Sequence, residues 1–277
     1  MEITIYKPLS PLLKAYIDCF YVLTRQPEEL PNTYLTFPSM HHIVCLYADA
    51  VTEINDELIS IHHEPNGILQ SRIVGKFSKA VCARYEGPIS EITTLFKPLA
   101  VNAFLPSPLK DFVNGHFSVF NPYPNFLPAM RKIQDIPILS EKVEAMEAYW
   151  ISKYQGFQHP FLPAILDEMT NSEAQERSIT AICKSHAISR QTLYQHFDRY
   201  LCKTPSEFRK IIRFRRAINT HRLDIDQHSL TTLSLLADYF DQSHMIRDFK
   251  ELTGYTPKYF FNRISHLGDG SVNWLFL

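Results

Sequence analysis

The chain has 277 residues, 45% of them apolar and 21% charged, with a formal net charge of −1 at pH 7. That length accommodates two cores, the ordinary apolar share excludes a disordered or fibrous chain, and no run approaches the roughly eighteen apolar residues of a membrane span. The near-neutral total hides a division, because from Ser178 onward fourteen Lys and Arg face nine Asp and Glu, whereas the first 177 residues carry fourteen against twenty. An acidic half joined to a basic half suits a sensor fused to a nucleic-acid module.

The opening MEITIYKPLS lacks a basic segment followed by an apolar one, so the expectation is a cytoplasmic protein without a secretory signal. Residues 8–20 have helical spacing, with Leu12, Leu13, Tyr16, Ile17 and Phe20 on one side, Ser10 as N-cap and Pro11 as first helical residue. From Tyr34 to about Leu105, short β-branched and aromatic runs (TYLTFP, HHIVCLYAD, LISIHH, ILQSRIVG, KAVCARYEG, ITTLFKP) are punctuated by Pro, Gly, Asn and Asp. They predict five to seven short antiparallel strands in a sandwich or half-barrel, an architecture that can enclose a ligand cavity.

Residues 106–137 are dense in proline and aromatics and predict an irregular cover. Ser140 then opens a helix whose Val143, Met146, Trp150 and Tyr154 form an apolar stripe. The stripe suits core packing or a dimer seam. Gly156 to Pro160 breaks the pattern and marks the domain boundary, with a short helix over 163–171 beyond it.

Two similar units follow. In the first, Ser178 caps a helix with Ile179, Ile182 and Cys183 on its apolar face, Ala187 to Ser189 turn, and Ser189 caps a second helix that buries Leu193, Phe197 and Leu201. In the second, Ser229 caps a helix bearing Leu233, Leu236 and Ala237, Asp238 to Asp241 turn, and the next helix buries Met245, Phe249 and Leu252. Each unit ends on a Thr cap and a Pro at the first helical position, Thr204-Pro205 and Thr256-Pro257. Between them EFRKIIRFRRAINTHRL forms a linking helix whose Arg209, Lys210, Arg213, Arg215 and Arg216 suit phosphate contacts, with Asp224 or Asp226 as competing partners. The free faces of the two second helices carry amides, hydroxyls and basic groups, which suit base edges in a major groove. A repeat spaced by about fifty residues is a stronger signal than one such unit.

This stretch, and above all DQSHMIRDFKELTGYTP, resembles the AraC/XylS family of transcription regulators over about the last hundred residues. The resemblance implies base-facing positions at Gln191, Tyr194 and Gln195 with Ser189 and Arg190 near the backbone, and in the second unit at Ser243, His244 and Arg247 with Gln242 at the helix start. Where the family usually has Gly in the second turn, this chain has Asp238. The stretch GKFSKAVCARYEGPISEITTLFKPLAVNAFL resembles the N-terminal domain of some AraC-type regulators, with Leu99 and Ala100 after Pro98 where a Gly is usual. The expected fold is α+β: a β-rich sensor or dimerisation domain over 1–156, an all-α domain of two helix-turn-helix units over 157–266, and a tail over 267–277 whose apolar end folds back or frays. Double-stranded DNA is the expected partner, with RNA polymerase, a small-molecule effector and a second copy of the chain as further candidates.

Five scattered cysteines without a C-x-x-C pair argue against a disulfide framework or a four-cysteine zinc site. His41-His42 and His62-His63-Glu64 suggest a metal only weakly, since neighbours in a strand point to opposite faces. No catalytic fingerprint is present, so neither enzymatic activity nor a cofactor is expected. A metal-binding enzyme or sensor domain carried on a DNA-binding tail is the alternative.

Overall fold

The computed structural model describes residues 1–55, 58–170, 177–223, 229–267, 270 and 272–277. The N-terminal half is a sandwich of two six-stranded sheets. Its strands are β1 (Glu2–Tyr6), β2 (Ile17–Arg25), β3 (Asn32–Thr36), β4 (His42–Ala48), β5 (Ala50–Ile54), β6 (Leu58–His63), β7 (Gln70–Val74), β8 (Val81–Glu86), β9 (Ile89–Phe96) and β10 (Phe117–Val119), joined by β11 (Ser265–Leu267) and β12 (Val272–Phe276) from the end of the chain. One sheet runs β1-β2-β9-β4-β7-β10 and the other β11-β12-β3-β8-β6-β5. Paired strands are antiparallel, except β6 and β8, which run parallel.

The first sheet is buried on both faces. One face packs Tyr21, Cys45 and Tyr47 against Tyr34, Ile61, Tyr85 and Trp274 of the opposite sheet. The other packs Phe20, Val44, Ile92 and Phe96 against α2 (Phe126–Gln134) and α3 (Leu139–Lys153), through Met130, Met146 and Trp150. A strand with two buried faces has no polar alternation. The apolar run of residues 8–20 is helical only over α1 (Pro11–Tyr16), and from Ile17 it becomes β2, whose residues are almost all buried. Ser10 precedes α1 without a side-chain cap bond.

The strand-rich region over 34–105 holds β3 to β9, seven strands. The proline-dense cover contains α2, because Pro128 lies in its first turn, where a backbone N–H has no helical acceptor. Val143, Met146 and Trp150 are buried in the core of their own domain, whereas Tyr154, the last residue of the stripe, is exposed.

The C-terminal half comprises α4 (Leu162–Thr170), α5 (Ile179–Ser185), α6 (Arg190–Leu201), α7 (Pro205–Leu223), α8 (Leu230–Leu236), α9 (Gln242–Thr253) and α10 (Pro257–Phe261). Leu166, Ile182, Leu193, Phe197, Phe208 and Ile212 form the core of the first unit, and Leu99 from the N-terminal half joins it. Phe214, Ile218, Leu233, Met245, Phe249 and Phe260 form the core of the second, with Phe37 and Leu275 added. The tail folds back, and β12 pairs with β3, placing Trp274 opposite Thr36, Leu275 opposite Leu35 and Phe276 opposite Tyr34.

Candidate nucleic-acid interface

Both recognition elements are built by local chemistry. Ser178 Oγ accepts from the Ala181 amide at 3.1 Å and opens α5, and Ser189 Oγ accepts from Thr192 at 2.9 Å and opens α6. In the second unit Ser229 caps α8 through the Thr232 amide at 3.1 Å, and Asp241 caps α9 through the His244 amide at 2.6 Å. Thr204 and Glu207 form a reciprocal capping pair at the start of α7.

The two turns share one backbone device. Ala187 (φ 52°) and Asp238 (φ 58°) are both left-handed. The following amides reach back five residues, Ile188 to the Cys183 carbonyl at 3.0 Å and Tyr239 to the Ser234 carbonyl at 2.9 Å, which is the Schellman closure of a helix C-terminus. Glycine adopts this conformation most easily; here Asp238 does so with its carboxylate paired to Arg216.

Residues 182–263 match the family described as "Helix-turn-helix domain", and residues 5–118 match "Domain of unknown function (DUF6597)". Residues 182–263 thus form a helix-turn-helix domain of the AraC type. Among solved structures it is similar to ToxT from Vibrio cholerae in a P21 crystal form, at 10% identity and TM-score 0.43, covering 94% of this chain and 97% of that one. It is also similar to wild-type ToxT of strain SCE256 bound to an unsaturated fatty acid, at 11% identity and TM-score 0.42, covering 87% and 94%. No curated protein sequence matches the chain.

On α6, the second helix of the first unit, Ser189, Arg190, Gln191 and Gln195 are exposed. Tyr194 is half-buried, its hydroxyl 3.0 Å from Ser206 Oγ, a bond that together with nearby Arg190 lowers the phenol pKa. On α9, Ser243 and Arg247 are exposed. Gln242 accepts from Thr231 across the turn at 3.3 Å. His244 is committed inward, with Nδ1 3.5 Å from the Phe240 amide and Nε2 3.6 Å from Asp248, and burial lowers its pKa. The structure therefore leaves Gln191, Gln195, Ser243 and Arg247 exposed to solvent, and it turns His244 toward the helix-turn-helix interior.

The basic residues of the linking helix, expected at phosphates, have protein partners in this structure. Arg215 donates from Nε to the Pro38 carbonyl at 2.8 Å and from Nη2 to the Phe37 carbonyl at 2.6 Å, tying α7 to the N-terminal half, and burial lowers its pKa to about 10. Arg216 bonds the Thr170 carbonyl and Asp238. Arg209 bonds the Arg177 carbonyl at 2.7 Å. Arg213 pairs with Asp248 at 2.8 Å and Lys210 with Glu251 at 2.6 Å. Each of these side chains thus has a protein partner, and a one-face charge pattern cannot reveal which carbonyls a neighbouring domain will present. Asp224 and Asp226, the partners weighed from sequence, lie outside the described residues.

The residues missing from the sequence reading are those of the domain interface. The C-terminal carbonyls of α6 are met by N-terminal donors, His42 Nε2 at 3.1 Å from Leu201 O and Asn102 Nδ2 at 2.9 Å from Tyr200 O. The Leu252 carbonyl of α9 accepts from the Ala80 amide at 2.7 Å. Lys203 reaches the Gly75 carbonyl, and Gly75 is needed there because a Cβ would come within 2.8 Å of the His42 ring. The last turn of a helix leaves its carbonyls unpaired, so both recognition helices are capped from one body. No sequence periodicity encodes that.

The metal alternative loses geometry. His41 turns to Ser39 at 3.0 Å and Asp18 at 3.5 Å, His42 enters the domain interface, and His62 and His63 lie on β6 of the other sheet. No metal-holding group of His, Cys, Asp and Glu occurs among the described residues. All five cysteines are free, and four of them are buried. No described helix is long and apolar enough to cross a membrane.

Proposed function

We propose that this regulator reads double-stranded DNA in the cytoplasm with α6 and α9 in adjacent major-groove segments on one side of the duplex, and that its N-terminal sandwich binds a small molecule that modulates this. The observation that carries the reading is the pairing of two open faces, Gln191 and Gln195 on α6, Ser243 and Arg247 on α9, with two closed ends, where the N-terminal half bonds Tyr200, Leu201 and Leu252. A body that grips both helices by their C-termini sets their separation and leaves their N-terminal turns to the DNA. Gln can pair bidentately with adenine and Arg with guanine.

The test is base-resolved binding. Gln195→Ala and Arg247→Ala are each expected to lose about 1–3 kcal/mol on the preferred duplex and to relax discrimination at one base position, a different one for each variant. Uniform weakening on every sequence would assign the residue to phosphate and overturn its placement at a base.

A further inference from the structure

β9 carries a carboxylate into the space between the two sheets. Glu91 is fully buried, and its oxygens accept from Tyr21 Oη at 3.1 Å, Tyr85 Oη at 2.6 Å and Thr93 Oγ1 at 2.6 Å. No Lys, Arg or His pairs with it among the described residues. A carboxylate buried without a counter-charge is costly. Burial raises the Glu91 pKa, while the three hydroxyl donors act in the opposite direction by stabilising the ionised form.

The surroundings of Glu91 are aromatic. Tyr34 stacks on Trp274 with 4.0 Å between centroids and on Tyr85 with 5.7 Å, and Tyr21 meets Trp274 edge-on at 6.1 Å. These residues line a cavity of about 80 Å³. A water molecule takes roughly 30 Å³, so the space admits a compact head group and little else. Arg215 lines the cavity too, but its Nε and Nη2 are turned to the Pro38 and Phe37 carbonyls. Arg215, Ser39 and Asn273 also border an adjoining polar space, which gives the remainder of a ligand room to extend.

We propose that this cavity receives the alkylated ammonium head of a small organic cation, with Glu91 as counter-charge and the aromatic wall of Tyr21, Tyr85 and Trp274 beside it. The choice rests on the reading of the N-terminal sandwich as the effector-binding part. Ring faces attract cations, and aromatic cages suit alkylated ammonium groups. The Glu91 oxygens already accept three hydrogen bonds, so they offer charge more than acceptor sites, which favours an alkylated head over a primary amine. Trp274 belongs to the strand that follows the second helix-turn-helix unit and Arg215 to the helix joining the units. A ligand in this cavity therefore touches both halves of the chain.

The probe is choline, compared with its neutral isostere 3,3-dimethylbutanol, on full-length protein without DNA. Choline is expected to raise the melting temperature saturably, and the isostere to leave it unchanged. The chain has two tryptophans, so a Trp150→Phe variant reports on Trp274 alone, whose emission is expected to change with choline. Glu91→Gln is expected to weaken choline at least about tenfold, as is Trp274→Leu, which keeps an apolar side chain on β12 and serves should the first variant not fold. Equal responses to the two probes, no response to choline, or undiminished binding by both variants would overturn the proposal. Because DNA is absent, these outcomes leave the DNA-reading account untouched, and loss of that account leaves choline binding to be measured as before.

Discussion

Trp274 lies face to face with Tyr34, 4.0 Å between ring centroids and 15° from parallel. The two residues are 240 positions apart, and their contact means that the chain, having built its helical half, returns to the N-terminal sandwich and extends the sheet that holds β3. β3 thus has β12 on one side and β8 on the other. Trp274→Ala is expected to cost about 3–5 kcal/mol, the range for a large aromatic removed from a core, read from urea unfolding of the full chain. Deleting residues 272–277 is expected to split one unfolding transition into two, because Leu275 also packs with Phe37 against Phe214 and Phe260. Unchanged stability in both variants would contradict a structural tail.

The two left-handed turn residues give opposite expectations for the same replacement. Ala187 is exposed, with φ 52°, so Ala187→Gly removes strain and is expected to stabilise by about 0.5–1 kcal/mol. Asp238→Ala keeps the strain and loses the carboxylate that meets Arg216, and is expected to destabilise by about 1–2 kcal/mol. Thermal denaturation of the two single variants decides both. Destabilisation by Ala187→Gly would contradict the conformation assigned to that turn.

His42 gives a pH expectation. Burial, aided by nearby Lys203, lowers its pKa to about 3 from an ordinary 6.5. Between those values the unfolded chain binds a proton that the folded chain does not, so stability is full above about pH 6.5 and falls as the pH drops toward 3. His41 and His159, both lowered to about 4 by burial, act in the same direction. His42→Gln, which can still donate to Leu201, is expected to shallow the acid limb by about one proton, or 1.4 kcal/mol per pH unit. An unaltered slope in urea midpoints from pH 4 to 6.5 would show that His42 titrates normally.

The arginines separate DNA contact from packing. Arg215→Ala is expected to lower stability by about 2–4 kcal/mol, since it leaves the Phe37 and Pro38 carbonyls without a donor, while leaving the salt dependence of DNA binding unchanged. Arg247→Ala is expected to do the reverse, weakening DNA binding with stability within about 0.5 kcal/mol. Parallel effects of the two substitutions on the salt slope would return Arg215 to the phosphates.

The helix-turn-helix half was legible because its signals are local. Ser178, Ser189, Ser229 and Thr256 cap within three residues of themselves, and Leu193, Phe197 and Leu201 recur on one face. Asp238, which stands where the resemblance has Gly, holds the left-handed turn with Arg216 as partner. Leu99, beside the position where the resemblance leads one to expect Gly, is likewise left-handed with φ 63° and packs into the first unit. What stayed hidden is non-local. β2 read as helix because both its faces are buried, α2 read as cover because its proline sits where a helix tolerates one, and Arg215 read as a phosphate contact because only the fold places the Phe37 carbonyl beside it. Glu91 carried no motif at all, and its meaning comes from three hydroxyls on three strands or turns of strand.

Selection of bound duplexes from a random pool with the full-length protein tests whether α6 and α9 read DNA together. Two recognition helices gripped by one body should enrich a motif in two parts whose centres lie about one helical turn, roughly 34 Å, apart. Arg247→Ala should blur one part and Gln195→Ala the other. Binding that falls with salt yet enriches no motif would contradict the account, and would mean that the open faces of α6 and α9 do not read bases.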